Sequence, residues 1–66
     1  MQILLNGKPH EIGPETTVSQ LIESLELRSE LVAIEVNEGL VPRAARQERT
    51  LVEGDRVEIV TLVGGG

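Results

Sequence analysis

The sequence predicts an α+β domain in which one main helix packs on one face of a mixed β-sheet. Three observations support this fold class. An Asn-Gly pair separates two short strand-like segments near the start, apolar residues at helical spacing follow, and two later segments are rich in β-branched residues. With 66 residues the chain can bury only a thin core, so residues 1–66 are predicted to form a single domain.

A β-hairpin is predicted at the start of the chain. Residues 2–5 form an apolar strand, and residues 8–12 return beside it. The two residues between these strands, Asn6 and Gly7, tolerate the positive φ angles that a type I′ turn requires. Pro9 lacks an amide donor, which suits an edge position for the second strand.

The clearest helix signal begins at Thr17. This residue can cap a helix, and Gln20 three positions later completes a possible capping box. A single apolar stripe at helical spacing then comprises Val18, Leu21, Ile22 and Leu25. The pattern predicts a helix that runs from residue 18 to residue 25 or 26.

A third strand and an irregular segment are predicted next. Residues 32–36 are rich in β-branched side chains, and residues 37–39 form a turn that ends the strand. Residues 40–41 are predicted to form a short extension. Residues 43–49 are polar with two alanines and are predicted to hold one helical turn.

The last strand is predicted over residues 56–63, after a turn at residues 53–55. The predicted order is therefore hairpin, helix, strand, irregular segment and strand. Because one helix crosses over a mixed sheet, the right-handed crossover rule favours placing the first and last strands side by side in the middle. This arrangement is the β-grasp, or ubiquitin-like, fold.

Composition argues against several classes of function. The chain has no cysteine, which removes disulfides, thiolate catalysis and the usual zinc site, and a single histidine leaves no cluster for a metal ion. A net charge of −5 without any aromatic residue argues against nucleic-acid binding. The same charge fits either a basic protein partner or plain solubility. With no recognisable signal peptide or membrane span, a cytoplasmic protein is predicted.

The strongest candidate for chemistry is the C-terminal run of Gly64, Gly65 and Gly66. It follows the last predicted strand directly, and glycine gives a flexible tail without side chains. Such a tail fits a narrow channel in a partner and presents its terminal carboxylate there for activation by ATP. A glycine-rich end is also common as a frayed terminus. Attachment to the central strand of a β-grasp sheet favours a carrier that works through the Gly66 carboxylate.

Alternation along the first and last strands predicts a docking patch. If one face of each strand packs on the helix, the opposite face exposes Leu4, Val60 and Leu62. Because the two strands are predicted to be neighbours, these side chains are expected to form one apolar patch that leads to the tail. The alternatives are an assignment that is out by one residue, or a loop that covers the patch.

Other candidate residues are weak. His10 has no acidic or hydroxyl partner at a telling spacing and is interpreted as a solvated strand residue. Arg43, Arg46 and Arg49 recur every three positions, a pattern typical of a solvated basic face on which ion pairs contribute little. No glycine-rich phosphate loop occurs. The sequence therefore holds no constellation for an enzyme that acts alone.

Four segments carry a resemblance to a known family. They are residues 1–7 (MQILLNG), 33–37 (AIEVN), 41–43 (VPR) and 53–60 (EGDRVEIV). Together with the terminal glycines they resemble the ThiS family, the sulfur carrier proteins of bacterial thiamin biosynthesis. The resemblance covers essentially the whole chain. It departs from the family pattern in a third terminal glycine, Gly64, and in the absence of an aromatic residue shortly after Arg43.

The resemblance implies a mechanism for Gly66. A ThiF-type adenylyltransferase would adenylate its carboxylate with ATP, and sulfur drawn from cysteine by a desulfurase would replace AMP to leave a thiocarboxylate. Thiazole synthase (ThiG) would accept that sulfur, with Gly64 and Gly65 threading the partner active site. The carrier itself would bind no cofactor and would not be an enzyme.

Three other functions remain open at this point. The small subunit of molybdopterin synthase also carries a C-terminal thiocarboxylate, although it is usually longer and tends to have an aromatic residue and prolines before its glycines. A ubiquitin-like modifier would transfer the activated Gly66 to a lysine amine. A non-covalent β-grasp binding module would not need the glycine tail.

Overall fold

The structure is a computed structural model and describes residues 1–62 of the chain. Its strands and single α-helix are β1 (Gln2–Leu5), β2 (Lys8–Glu11), α1 (Val18–Ser24), β3 (Val32–Val36), β4 (Gly39–Leu40) and β5 (Arg56–Thr61). Two short 3₁₀ turns occupy Ser29–Leu31 and Arg43–Ala45. No helix in this part of the chain has the length and apolar character needed to cross a bilayer.

The strands form one five-stranded mixed sheet in the order β2-β1-β5-β3-β4. The first and last strands, β1 and β5, lie side by side in parallel, and every other neighbouring pair is antiparallel. This is the topology of the β-grasp fold, and it confirms the predicted central position of the two strands. The strand that precedes the C-terminal glycines is therefore held on both edges.

The hairpin forms as predicted around Asn6 and Gly7. Their φ angles are 50° and 84°, the positive values that a type I′ turn requires at both central positions. Pro9 pairs with Leu4 on β2, which is an edge strand. Its missing amide therefore costs the sheet no hydrogen bond to a further strand. The strand ends at Glu11, one residue before the predicted limit.

The predicted capping box starts the helix. Thr17 Oγ1 accepts a hydrogen bond from the backbone amide of Gln20 at 3.2 Å, and Gln20 Oε1 accepts one from the Thr17 amide at 2.9 Å. The pair satisfies two amide groups that have no partner within the first turn. Helix α1 then buries Val18, Leu21 and Ile22, which are three of the four residues of the predicted stripe.

The end of α1 was predicted one or two residues too far along the chain. The helix ends at Ser24 because Glu26 adopts a left-handed φ of 60°. The Glu26 amide donates to Glu23 O at 2.9 Å, and the Leu27 amide donates to Ile22 O at 3.2 Å, which is the Schellman pattern. Glycine usually occupies the left-handed position, so a glutamate there does not signal the end of a helix.

The turn between β3 and β4 also differs from the prediction. Asn37 and Glu38 are its two central residues, with φ angles of 52° and 72°, whereas Gly39 already belongs to β4. The predicted helical turn after Pro42 is present as the 3₁₀ turn Arg43–Ala45. The last strand ends at Thr61, and the predicted extension to Val63 lies outside the described residues.

The core is entirely aliphatic and lies between the sheet and α1. Its buried apolar residues are Ile3, Val18, Leu21, Ile22, Val32, Ile34, Val36, Val41, Leu51 and Val57. Val41 and Leu51 bracket the irregular segment between β4 and β5 and anchor both of its ends in the core. Within residues 1–62 the helix and this segment share one face of the sheet, and the opposite face stays open.

Candidate functional site

The candidate site begins where β5 leads toward the terminal glycines. Gly64, Gly65 and Gly66, the predicted carrier residues, lie outside the described residues. The end of β5 is fixed by a hydrogen bond from the Leu62 amide to Leu31 O at 2.7 Å. Because Leu31 closes the 3₁₀ turn Ser29–Leu31 before β3, the position of this turn determines where the chain leaves the sheet.

Arg46 holds that turn from inside the protein. Its side chain is 4% exposed, and Nη1 donates to Ser29 O at 2.8 Å and to Ser29 Oγ at 2.9 Å. Nη2 donates to Val32 O at 2.8 Å, whereas Nε has no hydrogen-bond partner. The interpretation of Arg46 as part of a solvated basic face was therefore wrong. A period of three residues gives no sign that the middle arginine turns inward.

Arg43 supports the same turn from the surface. Its Nη2 donates to Glu30 O at 2.6 Å, so the two arginines together bind the carbonyls on either side of Leu31. Burial lowers the pKa of the Arg46 guanidinium, and the charge of Arg43 lowers this pKa further. Arginine starts from so high a pKa that the group stays charged at neutral pH.

Asn6 connects the first hairpin to β5. Its Oδ1 accepts a hydrogen bond from the Ile59 amide at 2.9 Å, and its Nδ2 lies 3.4 Å from Ile59 O. Asparagine at this position therefore does two things: it adopts the positive φ of the turn, and it continues the ladder between β1 and β5. On the edge that faces β1, β5 is therefore hydrogen-bonded as far as Ile59.

The predicted docking residues are all exposed, and Leu4 and Val60 lie on the open face, but the three do not form one patch. Leu4, Val60 and Leu62 are 38%, 57% and 60% exposed. The register pairs Leu4 with Arg56, four residues before Val60, a separation of about 13 Å along the strand. Val60 instead pairs with Ala33 on β3. The expected continuity from Leu4 to the tail was wrong, because adjacency of two strands does not fix which of their residues are opposite.

Few other groups in residues 1–62 suggest chemistry. His10 lies half-buried on β2, opposite Ile3. This part of the chain contains no pocket and no group of three His, Asp or Glu residues arranged to hold a metal ion.

Comparisons with known proteins agree over the whole chain. The ThiS family model matches residues 3–66. The sulfur carrier protein ThiS of Escherichia coli is 30% identical over 66 residues, which cover all of both chains. A thiazole synthase of Magnetococcus marinus is 39% identical over all 66 residues, and this chain spans 20% of its length.

A solved structure gives the same result. The crystal structure of the thiamine biosynthesis protein ThiS from Geobacter metallireducens superimposes with a TM-score of 0.86 at 32% sequence identity, and the match covers 100% of both chains. Sequence and fold therefore agree along the full length. The chain belongs to the ThiS family.

Proposed function

We propose that this chain is the sulfur carrier of thiamin biosynthesis and that the carboxylate of Gly66 is the group that carries the sulfur. The observation that carries the proposal is the family match over residues 3–66, which includes the three terminal glycines. The fold supports it, because β5 pairs on both edges and ends at Thr61, three residues before Gly64 in the sequence. A folded domain that ends in a tail without side chains is suited to be a protein substrate for other enzymes.

The first step activates the carboxylate. A carboxylate is a poor electrophile, so a ThiF-type adenylyltransferase is proposed to bind the tail together with ATP. An oxygen of the Gly66 carboxylate attacks the α-phosphorus and pyrophosphate leaves, which gives an acyl adenylate. Gly64 and Gly65 bring no side chain into the nucleotide site, where a bulky group would obstruct the attack.

The second step exchanges oxygen for sulfur. A cysteine desulfurase supplies a persulfide, whose outer sulfur attacks the Gly66 carbonyl while AMP leaves. A thiol then cleaves the resulting acyl disulfide, and the thiocarboxylate remains on the carrier as the thiol partner is oxidised to a disulfide. The chain contains no cysteine, so within it the terminal carboxylate is the group suited to hold this sulfur. The cytoplasm, which supplies ATP and reduced thiols, is the proposed setting.

Thiazole synthase is the proposed acceptor of the sulfur. Thiazole synthases of Magnetococcus marinus and Paramagnetospirillum magneticum each contain a segment similar to the whole of this chain, at 39% and 33% identity. Carrier and acceptor joined in one protein support a direct transfer between them. Val60 and Leu62 are proposed to contact the partner enzymes, because they are exposed on the strand that leads to the tail. Leu4 lies apart from them and is proposed to contribute less.

Removing the tail tests this function against a non-covalent binding module. A chain without Gly65 and Gly66 is expected to keep its Tm but to support no thiazole formation with the reconstituted partner enzymes. A chain that lacks only Gly64 keeps a terminal Gly-Gly pair and is the matched control, which is expected to remain active. Full activity of the doubly truncated chain would contradict the carrier function.

A further inference from the structure

Two glutamates face each other on the open side of the sheet. Glu35 of β3 and Glu58 of β5 are direct partners in the antiparallel register, and both are exposed. Their neighbours Ile34 and Val57 are buried against α1, so alternation directs both carboxylates away from the core. The Cβ atoms of directly opposite residues lie about 5 Å apart. The two glutamate side chains therefore start close together on the same face.

No ion pair within residues 1–62 ties either glutamate to the fold. Like charges directly opposite each other destabilise a sheet, and the chain already carries a net charge of −5. Within residues 1–62 neither carboxylate forms an ion pair. Arg56, the basic residue two positions before Glu58, lies 4.0 Å from Glu38 instead. A pair that costs stability and has no internal partner is a candidate for a contact with another molecule.

Aliphatic side chains flank the exposed pair on two of its sides. Leu40 pairs with Glu35 on the outer side and is exposed, and the next rung on the same face of the sheet pairs Ala33 with the exposed Val60. The pair thus has the aliphatic side chains of Leu40, Ala33 and Val60 on two sides, while Arg56 follows on the same face of β5. An apolar surface with a localised charge is typical of a protein interface, in which the charge selects the partner and the apolar area supplies much of the affinity.

We propose that this face receives an arginine of the enzyme that adenylates Gly66, with Glu35 and Glu58 binding its guanidinium and with Leu40 and Val60 contacting its flanking apolar surface. Charge complementarity requires a cation. Arginine fits better than lysine because its planar fork donates to two carboxylates at once and is less strongly hydrated, so it suits a partly apolar contact.

The geometry of the chain favours this enzyme as the occupant. Gly66 lies eight residues beyond Glu58, a span of about 28 Å at most. One protein that holds the terminal carboxylate in its active site can therefore also cover the face around Glu58. This inference rests on the proposed function, since it assigns the docking surface that the adenylating enzyme uses.

Charge removal separates a docking role from a structural one, because the two roles predict opposite changes. Glu35→Gln and Glu58→Gln are each expected to raise the Tm or leave it unchanged, since each removes a like-charge repulsion. With the adenylating enzyme, each is expected to raise KM for the carrier about tenfold and to leave kcat within about twofold. ATP–pyrophosphate exchange gives both constants.

Glu23→Gln is the matched control. Glu23 is an exposed glutamate on α1, on the covered side of the sheet, and the change removes the same charge. Its KM is expected to stay within about twofold of the unaltered chain. The KM of the unaltered chain is also expected to rise with salt, more steeply than that of the Glu35→Gln, Glu58→Gln double variant.

Three outcomes overturn the inference. If Glu35→Gln and Glu58→Gln lower the Tm and leave KM unchanged, the pair is structural. If Glu23→Gln raises KM as much as they do, only the net charge matters. If the unaltered chain supports no exchange with an active enzyme, the proposed function itself fails and the docking site fails with it. That failure is recognisable because it occurs in the unaltered chain, which retains both glutamates.

Discussion

Asn37 donates a hydrogen bond from Nδ2 to Oδ1 of Asp55 at 3.0 Å, across 18 residues of sequence. The other oxygen of each side chain is also used: Asn37 Oδ1 accepts from the Arg56 amide at 2.9 Å, and Asp55 Oδ2 accepts from the Val52 amide at 2.9 Å. Together these bonds join the turn between β3 and β4 to the start of β5. They fix the register in which β5 enters the sheet and hence the residue at which it leaves.

Removing the Asp55 carboxylate is expected to destabilise the fold. The side chain is buried and accepts from two donors, so Asp55→Ala leaves the Asn37 amide and the Val52 amide without their partner. We expect a loss of about 2 kcal/mol in the free energy of unfolding, measured by urea denaturation. Glu48→Ala, at an exposed glutamate, is the control and should change stability by less than about 0.5 kcal/mol. Equal effects from the two changes would contradict the role of Asp55.

Arg46 is expected to be the most sensitive of the three arginines that recur every third residue. Arg46→Ala removes the hydrogen bonds to Ser29 and Val32 and leaves a cavity. We expect it to cost about 3 kcal/mol in the free energy of unfolding. Arg46→Lys should recover only part of this loss, since one ammonium cannot reproduce the fork. Arg49→Ala, at an exposed site, should be nearly neutral, and a comparable loss there would show that burial is not the cause.

Glu26→Gly is expected to stabilise the protein. The residue occupies the left-handed position after α1, where an L side chain is strained and glycine is not. We expect a gain of about 0.5–1 kcal/mol in thermal or urea denaturation, after allowing for the extra freedom of glycine in the unfolded chain. Glu23→Gly, inside the same helix, should instead cost about 1 kcal/mol. A loss of stability from Glu26→Gly would contradict the left-handed conformation.

The apolar part of the open face can be tested with two valines of equal exposure. Val60 and Val52 are both 57% exposed, but only Val60 lies on the sheet face that leads to the tail. Val60→Ser is expected to raise KM of the adenylating enzyme for the carrier about tenfold, because the enzyme would bury the valine side chain in the complex. Val52→Ser should leave KM unchanged. If both variants behave alike, the docking assignment of Val60 is wrong.

Most of the fold could be predicted from the sequence because its signals are local. The Asn6-Gly7 pair specifies its own turn, and Thr17 with Gln20 specifies the start of the helix. The end of that helix could not be predicted, because Glu26 takes a conformation that its residue type disfavours and only the surrounding structure imposes it. The position of β5 followed from the crossover rule rather than from any residue in the strand.

The details of the site were harder to predict because they depend on register and burial. The register of β1 against β5 places Asn6, and not Leu4, beside the second half of β5. This register depends on pairing between residues about 50 positions apart, such as Asn6 with Ile59. The burial of Arg46 depends on carbonyls contributed by a separate turn. Neither relationship leaves a periodic pattern in the sequence. The role of the glycine tail, in contrast, stays a prediction from residue type and position, because Gly64, Gly65 and Gly66 lie outside the described residues.

The most direct test of the carrier function is to locate the sulfur on the chain. The protein would be isolated after incubation with ATP, cysteine and the partner enzymes, alkylated with iodoacetamide, and sequenced by tandem mass spectrometry. Because the chain has no cysteine, a thiocarboxylate is its most nucleophilic sulfur, and fragment ions separate it from oxidation of Met1, which adds nearly the same mass. The carrier function predicts an adduct on Gly66 that depends on ATP. An unmodified Gly66 in the presence of active partner enzymes would contradict it.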